Sequence, residues 1–306
     1  MIAVITGASS GIGRAAALTC AKRGMHVWMV DIDQPELESA VTYVKSAVTS
    51  IAQRIEFRVA DVSDAKAMEH LAEEVYFKGG SCQFLMNNAA IGRGGGALAS
   101  IEKVEKIMSI NTYGPIHGCL AFVPKMKANP GTGCIIVNTG SKQGITMPPG
   151  DLLYNMSKAA LKCYTEGLEH ELRNTTGGKI RAALLVPGWV NTSIMLKAVR
   201  AEKGKEMDLE RDVFFHEGKP AGGAWMPQQV VDFMVDELDN EKFYLICPDN
   251  DVDRETDNLR MTWTMQDITE NRPPLSRWHD DYKEQFAAFL EAHKTKGGMM
   301  QDDAGA

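Results

Sequence analysis

Short apolar runs alternate with longer amphipathic stretches along most of the chain. Ile2–Thr6, Val27–Asp31, Ile55–Val59, Phe84–Asn87, Cys134–Asn138 and Ile180–Val186 are rich in Val, Ile and Leu and run out into polar or glycine residues, which predicts strands. Between them, apolar spacing predicts helices over Gly11–Arg23, Pro35–Ala52, Ala65–Phe77, Ile101–Lys127 and Leu153–Asn174. A further helix near Pro227–Leu238 precedes a seventh strand at Phe243–Cys247. The strand segments are mostly continuous in hydrophobicity rather than alternating, as expected when both faces of a sheet are buried. The prediction is an α/β fold: one doubly wound domain with a mostly parallel, seven-stranded sheet flanked by helices.

No linker rich in Pro, Gly or Ser divides the chain, and there is no internal repeat. The expected organisation is one domain over residues 1–247, an irregular insertion near 192–225, and a polar C-terminal extension over 248–306. Asp280–His293 in that extension has helical apolar spacing, and its last ten residues read as disordered. The chain is 44% hydrophobic and 24% charged, which excludes collagen, a coiled-coil rod and wholesale disorder. Its 33 Lys and Arg against 40 Asp and Glu give a net charge of -7, which argues against nucleic acid as a partner. No apolar run reaches the ~18 residues of a membrane span. Met1-Ile2-Ala3-Val4-Ile5 carries no basic leader, so a cytoplasmic location is expected. The six cysteines are scattered without a CxxC pair, so free buried thiols are expected and no metal site.

Chemistry enters at Thr6-Gly7-Ala8-Ser9-Ser10-Gly11-Ile12-Gly13, between the first strand and the first helix. Glycines let backbone approach a pyrophosphate closely, and the helix N-terminus offers free N–H groups and a positive dipole end. Gly7, Ser10, Gly11, Ile12 and Gly13 are therefore candidate dinucleotide contacts in a Rossmann-like domain. Asp31 closes the second strand, where a carboxylate accepts hydrogen bonds from ribose hydroxyls and repels a 2′-phosphate. No Lys or Arg stands among Ala8–Ser10 or at Ile32, so NAD (NADH) is the expected cofactor.

With Asn111, Ser141 and Tyr154-x-x-x-Lys158 in order behind that turn, residues 1–247 resemble the short-chain dehydrogenase/reductase family. Tyr154 and Lys158 share a helix face. A free tyrosine has a pKa of ~10, and a nearby ammonium lowers it. Tyr154 would thus be the general acid/base, and Ser141 would hold the substrate oxygen. The resemblance implies further roles. Asn111 would support a water-linked proton path to Lys158, and Lys158 would also bond the nicotinamide ribose. Asp61 and Val62 would meet adenine, and Asn88 and Ala89 would line the adenosine ribose. Pro187, Gly188, Val190 and Thr192 would hold the nicotinamide end. The family's N-N-A-G reads Asn87-Asn88-Ala89-Ala90 here, a departure that touches loop geometry. Gly92-Arg93-Gly94-Gly95-Gly96 follows, either as a mobile cleft loop or as a plain connection.

The substrate wall is expected from Gln143, Trp189 and Met195 with Ser141 and Tyr154. Met147, Pro148, Leu152, Phe214, Phe215 and Trp225 are further candidates, either for this wall or for ordinary packing. Their character suggests a hydrophobic or aromatic small-molecule alcohol or ketone. No arginine cluster points to a phosphorylated or CoA substrate. The leading reading is an NAD-dependent secondary-alcohol dehydrogenase or carbonyl reductase, a homodimer or homotetramer by resemblance. An NADPH-linked reductase, a catalytically idle dinucleotide sensor and a sugar-nucleotide epimerase are the alternatives.

Overall fold

The structure is a computed structural model describing residues 1–92, 94–131, 133–204 and 222–297. Among these, seven strands form one sheet: β1 (Ile2–Thr6), β2 (His26–Asp31), β3 (Ile55–Val59), β4 (Cys82–Asn87), β5 (Cys134–Thr139), β6 (Ile180–Val186) and β7 (Tyr244–Ile246). Their order is β3-β2-β1-β4-β5-β6-β7, and every pairing is parallel. The helices are α1 (Gly11–Lys22), α2 (Gln34–Lys45), α3 (Ala65–Gly79), α4 (Ile101–Met108), α5 (Gly114–Ala128), α6 (Gln143–Thr146), α7 (Leu152–Thr176), α8 (Ile194–Lys203), α9 (Pro227–Asp239), α10 (Arg254–Thr269) and α11 (Lys283–Gly297).

Alternation survives inside the continuously apolar strands, but each face finds its own cover. Ala3, Ile5, Val27 and Met29 join a core cluster with Ala17 of α1, Val41 of α2 and Val231 of α9. Ile2, Val4, Trp28 and Val30 join a second cluster with Leu71 of α3, Phe122 of α5 and Leu172 of α7. Two helical layers therefore sandwich the sheet, and a side chain of either parity is buried. The chain winds outward from β1 to β3 and then returns to lay β4 against the other side of β1. That reversal opens a crevice at the C-terminal ends of β1 and β4, the place where doubly wound sheets bind ligands.

Three elements differ from the sequence expectation. The helix expected to reach Ala52 stops at Lys45. Beyond it the Gln53 amide donates to the Ala21 and Met25 carbonyls, 2.7 Å in each case, folding the segment back onto the end of α1. The expected helix over Ile101–Lys127 is interrupted by a π-turn at Ser109–Tyr113, so α4 and α5 are offset. In the extension, α10 has no apolar stripe to announce it, because Thr256, Asp257 and Asp267 are buried along with Trp263. The Asp253 carboxylate caps it, accepting from the Thr256 N–H at 2.7 Å.

The extension has a small core of its own. Trp263 donates from Nε1 to Ser276 Oγ at 2.8 Å, and the Arg272 guanidinium lies 3.9 Å from its ring centroid. Phe286 and Phe289 meet it edge-on at 5.3 and 5.2 Å. The expected helix at Asp280–His293 forms as α11, beginning three residues later after a single 3-10 turn at Asp280–Tyr282. The final residues, 298–306, lie outside those described. Five cysteines are buried free thiols, whereas Cys163 is exposed. Among the described residues no helix is long and apolar enough to cross a membrane.

Candidate active site

The crevice is a cleft of about 510 Å³ along the C-terminal edge of the sheet. At one end lies the glycine turn. Gly7 and Gly11 hold φ angles of 65° and 53°, in the left-handed region that favours glycine. A Cβ on Gly13 would come within 2.2 Å of the Gly7 carbonyl oxygen, and one on Gly7 within 2.8 Å of Ala89 Cα. Gly13 thus closes the turn from behind, while Gly7, Ser10, Gly11 and Ile12 face the cleft. Asn88 secures the other side. Its Nδ2 donates to the Thr6 carbonyl at 3.1 Å, and its own N–H reaches Thr6 Oγ1 at 2.9 Å. A pyrophosphate-bearing cofactor fits such a cradle, with free helix N–H groups and no side chain in the way.

Asp31 stands at the tip of β2 with its carboxylate on the cleft. It accepts the Ser9 N–H at 3.0 Å and the Ile32 N–H at 2.8 Å. Beside it, Glu36 accepts from Ser9 Oγ at 3.3 Å and pairs with Lys197 of α8 at 2.5 Å. A lysine therefore does approach the acid end of the cleft. It comes from a distant helix that no local window around the glycine turn could include. Asp61 and Val62 line the same end, and Asp61 accepts the Ser63 N–H at 2.9 Å.

Ser141, Tyr154, Lys158, Pro187, Gly188 and Val190 also line the cleft, and Thr192 lies against the glycine turn, its Cγ2 3.0 Å from where a Cβ on Gly11 would stand. Ser141 follows the end of β5, and Tyr154 and Lys158 come from the first turns of α7. Gly144 lets these two segments meet, since a Cβ there would lie 2.6 Å from the Lys158 carbonyl carbon. Gly94 does the same for the loop after β4, where a Cβ would strike Leu153 Cβ at 2.6 Å. Two glycines of unremarkable sequence context thus set the position of α7.

Lys158 is buried and donates from Nζ to the Thr139 carbonyl at 2.7 Å. Its nitrogen lies 5.8 Å from the Tyr154 ring centroid. Burial drives the Lys158 amine down to about 7. Burial also pushes the Tyr154 phenol up to about 12, with the Ser141 hydrogen bond opposing and the Asp151 carboxylate reinforcing that shift. The expected lowering of the phenol pKa by a neighbouring ammonium is thus reversed in the protein chain alone. Desolvation is the largest cause of both shifts, since burial disfavours the charged form of each group.

Asn111 sits in the π-turn behind this wall. Its Oδ1 accepts the Ile91 N–H at 2.9 Å, and its Nδ2 donates to the Ile91 carbonyl and to Ser157 Oγ at 2.9 and 3.1 Å. The amide is committed to holding the loop after β4 against α7. A proton path through Asn111 would have to use its backbone. Gln143 lines the cleft, and its buried Oε1 has no hydrogen-bond partner among the described residues, so an acceptor is left beside Ser141. Trp189 is on the wall and exposed, whereas Trp225 packs edge-on against Phe233 at 6.0 Å over the core. Phe214, Phe215 and the Met195 side chain lie outside the described residues.

Sequence reasoning missed an ion-pair network directly behind this wall. Lys142, next to Ser141, reaches Asp249 at 3.0 Å and Asp257 of α10 at 2.5 Å. Asp249 also accepts the Trp189 N–H at 3.0 Å, and a Cβ on Gly188 would fall 2.0 Å from its Oδ1. One carboxylate thereby joins the Ser141 segment to the Pro187-Gly188-Trp189 segment. No motif spacing announces it, since its members are far apart in the chain.

The family model for short chain dehydrogenases matches residues 1–203. A probable oxidoreductase EphD of Mycobacterium tuberculosis is 34% identical over 192 residues, 62% of this chain and 31% of that protein. The match to EphD therefore spans about a third of its length. A 1-deoxy-11-beta-hydroxypentalenate dehydrogenase of Streptomyces exfoliatus is 26% identical over 281 residues, 90% of this chain and 93% of that enzyme. Among solved structures, a short chain dehydrogenase/reductase from Burkholderia phymatum in complex with NAD superposes with a TM-score of 0.76. It is 29% identical and covers 89% of this chain and 95% of its own.

The buried amine makes stability depend on pH. Its folded value, about 7, lies below the 10.5 of the free group. Between those values the unfolded chain binds a proton that the fold does not, so stability from this group rises as pH increases. Without added cofactor, wild type should therefore gain stability relative to Lys158→Met between pH 7 and 9. Urea denaturation at several pH values measures this, and a difference that stays flat with pH would contradict the assignment.

Proposed function

The chain belongs to the short chain dehydrogenase family and is one of its oxidoreductases, and within that family we propose that it interconverts a secondary alcohol and a ketone with NAD. The observation that carries this reading is the convergence of Ser141, Tyr154 and Lys158 on one cleft whose far end holds the glycine turn and Asp31. The glycine turn and the α1 N-terminus would hold the pyrophosphate. Asp31 would take the adenosine ribose, and Val190 and Thr192 would meet the nicotinamide end. The chemistry that a nicotinamide held there would supply is hydride transfer to or from the substrate carbon. Ser141 holds the substrate oxygen, and Tyr154 gives or takes its proton. The raised phenol pKa keeps that proton on Tyr154 at neutral pH, the form needed to protonate a reduced ketone. Lys158 clamps the nicotinamide ribose and offsets the negative charge that develops on the phenol oxygen. Trp189 and Pro148 supply apolar substrate surface. Buried free thiols support a cytoplasmic setting.

NADP is the second reading, and Lys197 is the observation that favours it. Glu36 already neutralises that lysine, and Asp31 remains to repel a 2′-phosphate. Wild type should prefer NAD by at least about tenfold in kcat/KM, equivalent to ~1.4 kcal/mol. Asp31→Ala should erode the preference. Equal efficiency with both cofactors would move the assignment to NADP.

Tyr154→Phe removes the proposed proton donor and leaves the ring. It should lower kcat by about 10²–10⁴ while NADH affinity, read by fluorescence titration, changes little. Near-normal turnover would reopen the idle-sensor reading.

For assembly we propose a dimer or tetramer built on the α5 and α7 faces. Leu120 and Met156 are exposed there, and such contacts are isologous in closed oligomers. Light scattering at micromolar concentration should give at least twice the chain mass, and a monomer would refute the arrangement.

A further inference from the structure

Beyond the cleft, a second cavity of about 370 Å³ shares Ser141, Gln143, Gly188 and Trp189 as its wall. Its floor comes from the C-terminal extension. Ile145, Met261 and Trp278 give it apolar sides, and Arg260 and Arg277 enter it from α10 and from the 3-10 turn Ser276–Trp278. We propose that this cavity receives a carboxylate carried by the alcohol or ketone substrate, with Arg260 and Arg277 as its partners. The proposal rests on the dehydrogenase reading above and names the substrate class as hydroxy and keto acids with an apolar body.

The charges around the cavity are unevenly matched. Three acids line it: Asp249, Asp251 and Asp257. Lys142 pairs with Asp249 and Asp257, and Asp249 also holds the Trp189 N–H. Asp251 is exposed, with its carboxylate packed against Gly223. The two arginines are matched much less well. Arg260 Nε is buried with no hydrogen-bond partner. Among the described residues, neither guanidinium has a hydrogen bond or a close ion pair, and the one acid whose charge reaches both is Asp257, which Lys142 already holds. Arg277 is held instead by ring faces, with its guanidinium carbon 4.8 Å from the Trp278 centroid and 5.3 Å from that of Phe286. Ring faces leave the in-plane N–H donors of a guanidinium available.

The two arginines also repel each other. Burial and the Arg260 charge together bring Arg277 down to about 10, and Asp257 offsets this only in part. An anion between the two guanidiniums removes the repulsion and supplies the missing acceptors. A carboxylate matches the planar donor fork in a bidentate way. Position favours the same occupant. An apolar body lying along Trp189 places its oxygen at Ser141 and Tyr154 in the first cavity and its charged end in the second. The arginines escape a sequence search because they lie apart in the extension, and the Trp263 and Ser276 contacts bring them together.

Isothermal titration of the full chain with 2-naphthoate, 2-naphthamide and 2-naphthyl phosphate tests the proposal. 2-Naphthoate should bind at least about tenfold more tightly than the amide, and Arg260→Gln and Arg277→Gln should each remove about tenfold or more of that affinity. Binding of the amide should stay unchanged. Arg260→Lys and Arg277→Lys keep the charge and lose the fork, so they should fall between, which guards against a glutamine variant that fails to fold. Equal binding of naphthoate and naphthamide, or naphthoate affinity that survives both glutamine variants, overturns the proposal. Tighter binding of the phosphate ester overturns the carboxylate assignment. An NADH titration on the same preparations separates the two readings. A wild-type chain that ignores NADH yet discriminates naphthoate would sink the dehydrogenase reading and keep the anion pocket.

Discussion

Lys158 donates from Nζ to the carbonyl of Thr139 across 2.7 Å, inside a wall that water does not reach. That contact ties α7 to the end of β5, and the rest of the catalytic side follows from it. Ser141 comes two residues after Thr139, so whatever fixes Thr139 against α7 also fixes Ser141 against Tyr154. Gly144 removes the Cβ that would hold α6 away from Lys158, and Gly94 removes the one that would push the β4 loop away from Leu153. Asn111 closes the arrangement from behind through Ile91 and Ser157. A side chain added at either glycine would have to displace backbone or helix rather than a flexible tip.

A second anchor reaches the site from the far end of the chain. Asp249 and Asp257 hold Lys142 from opposite sides, and all three side chains are largely shielded. Buried ion pairs of this kind add little net stability, because desolvation cancels most of the attraction. Their effect is on position, since breaking one partner leaves an uncompensated charge. Here they register the Ser141 segment, the Gly188-Trp189 segment and α10 against one another. The extension is therefore braced against the Ser141 side of the cleft, although it stands outside the sheet.

The sheet was legible in the sequence because burial on both faces leaves uninterrupted apolar runs in its inner strands, whereas the edge strand β3, with Glu56 and Arg58 between its apolar residues, was visible by alternation. The glycine turn, Asp31 and the Tyr154–Lys158 pair were legible because local backbone geometry and helical spacing demand those residue types. Legibility failed where a position is set by distant partners. Lys197 meets Glu36 only after the chain has crossed the sheet, and Asp249 meets Trp189 only once Gly188 has made room. The helix α10 was hidden because it buries Asp257 and Asp267 as well as Trp263, so its inner face carries no apolar period. Trp225 is undecided in the sequence for a different reason: a bulky aromatic beside an insertion reads equally as wall or core, and Phe233 decides for the core.

The two opposite shifts at the catalytic pair share one cause, and this constrains how the site can work. Burial raises the phenol and lowers the amine, so the protein alone favours the uncharged form of each near and above neutral pH. Ser141 is the chain's own counterweight on the phenol, but Asp151 acts against it. A separated phenolate and ammonium are therefore disfavoured until other charges and donors enter the cleft. Under the proposed mechanism, proton transfer at Tyr154 would in this way be coupled to occupancy. The same low-dielectric wall that disfavours the charged pair at rest strengthens each hydrogen bond made to a developing oxyanion. A more open cleft would relax both shifts together, so the raised phenol and the lowered amine arise from one feature of the fold.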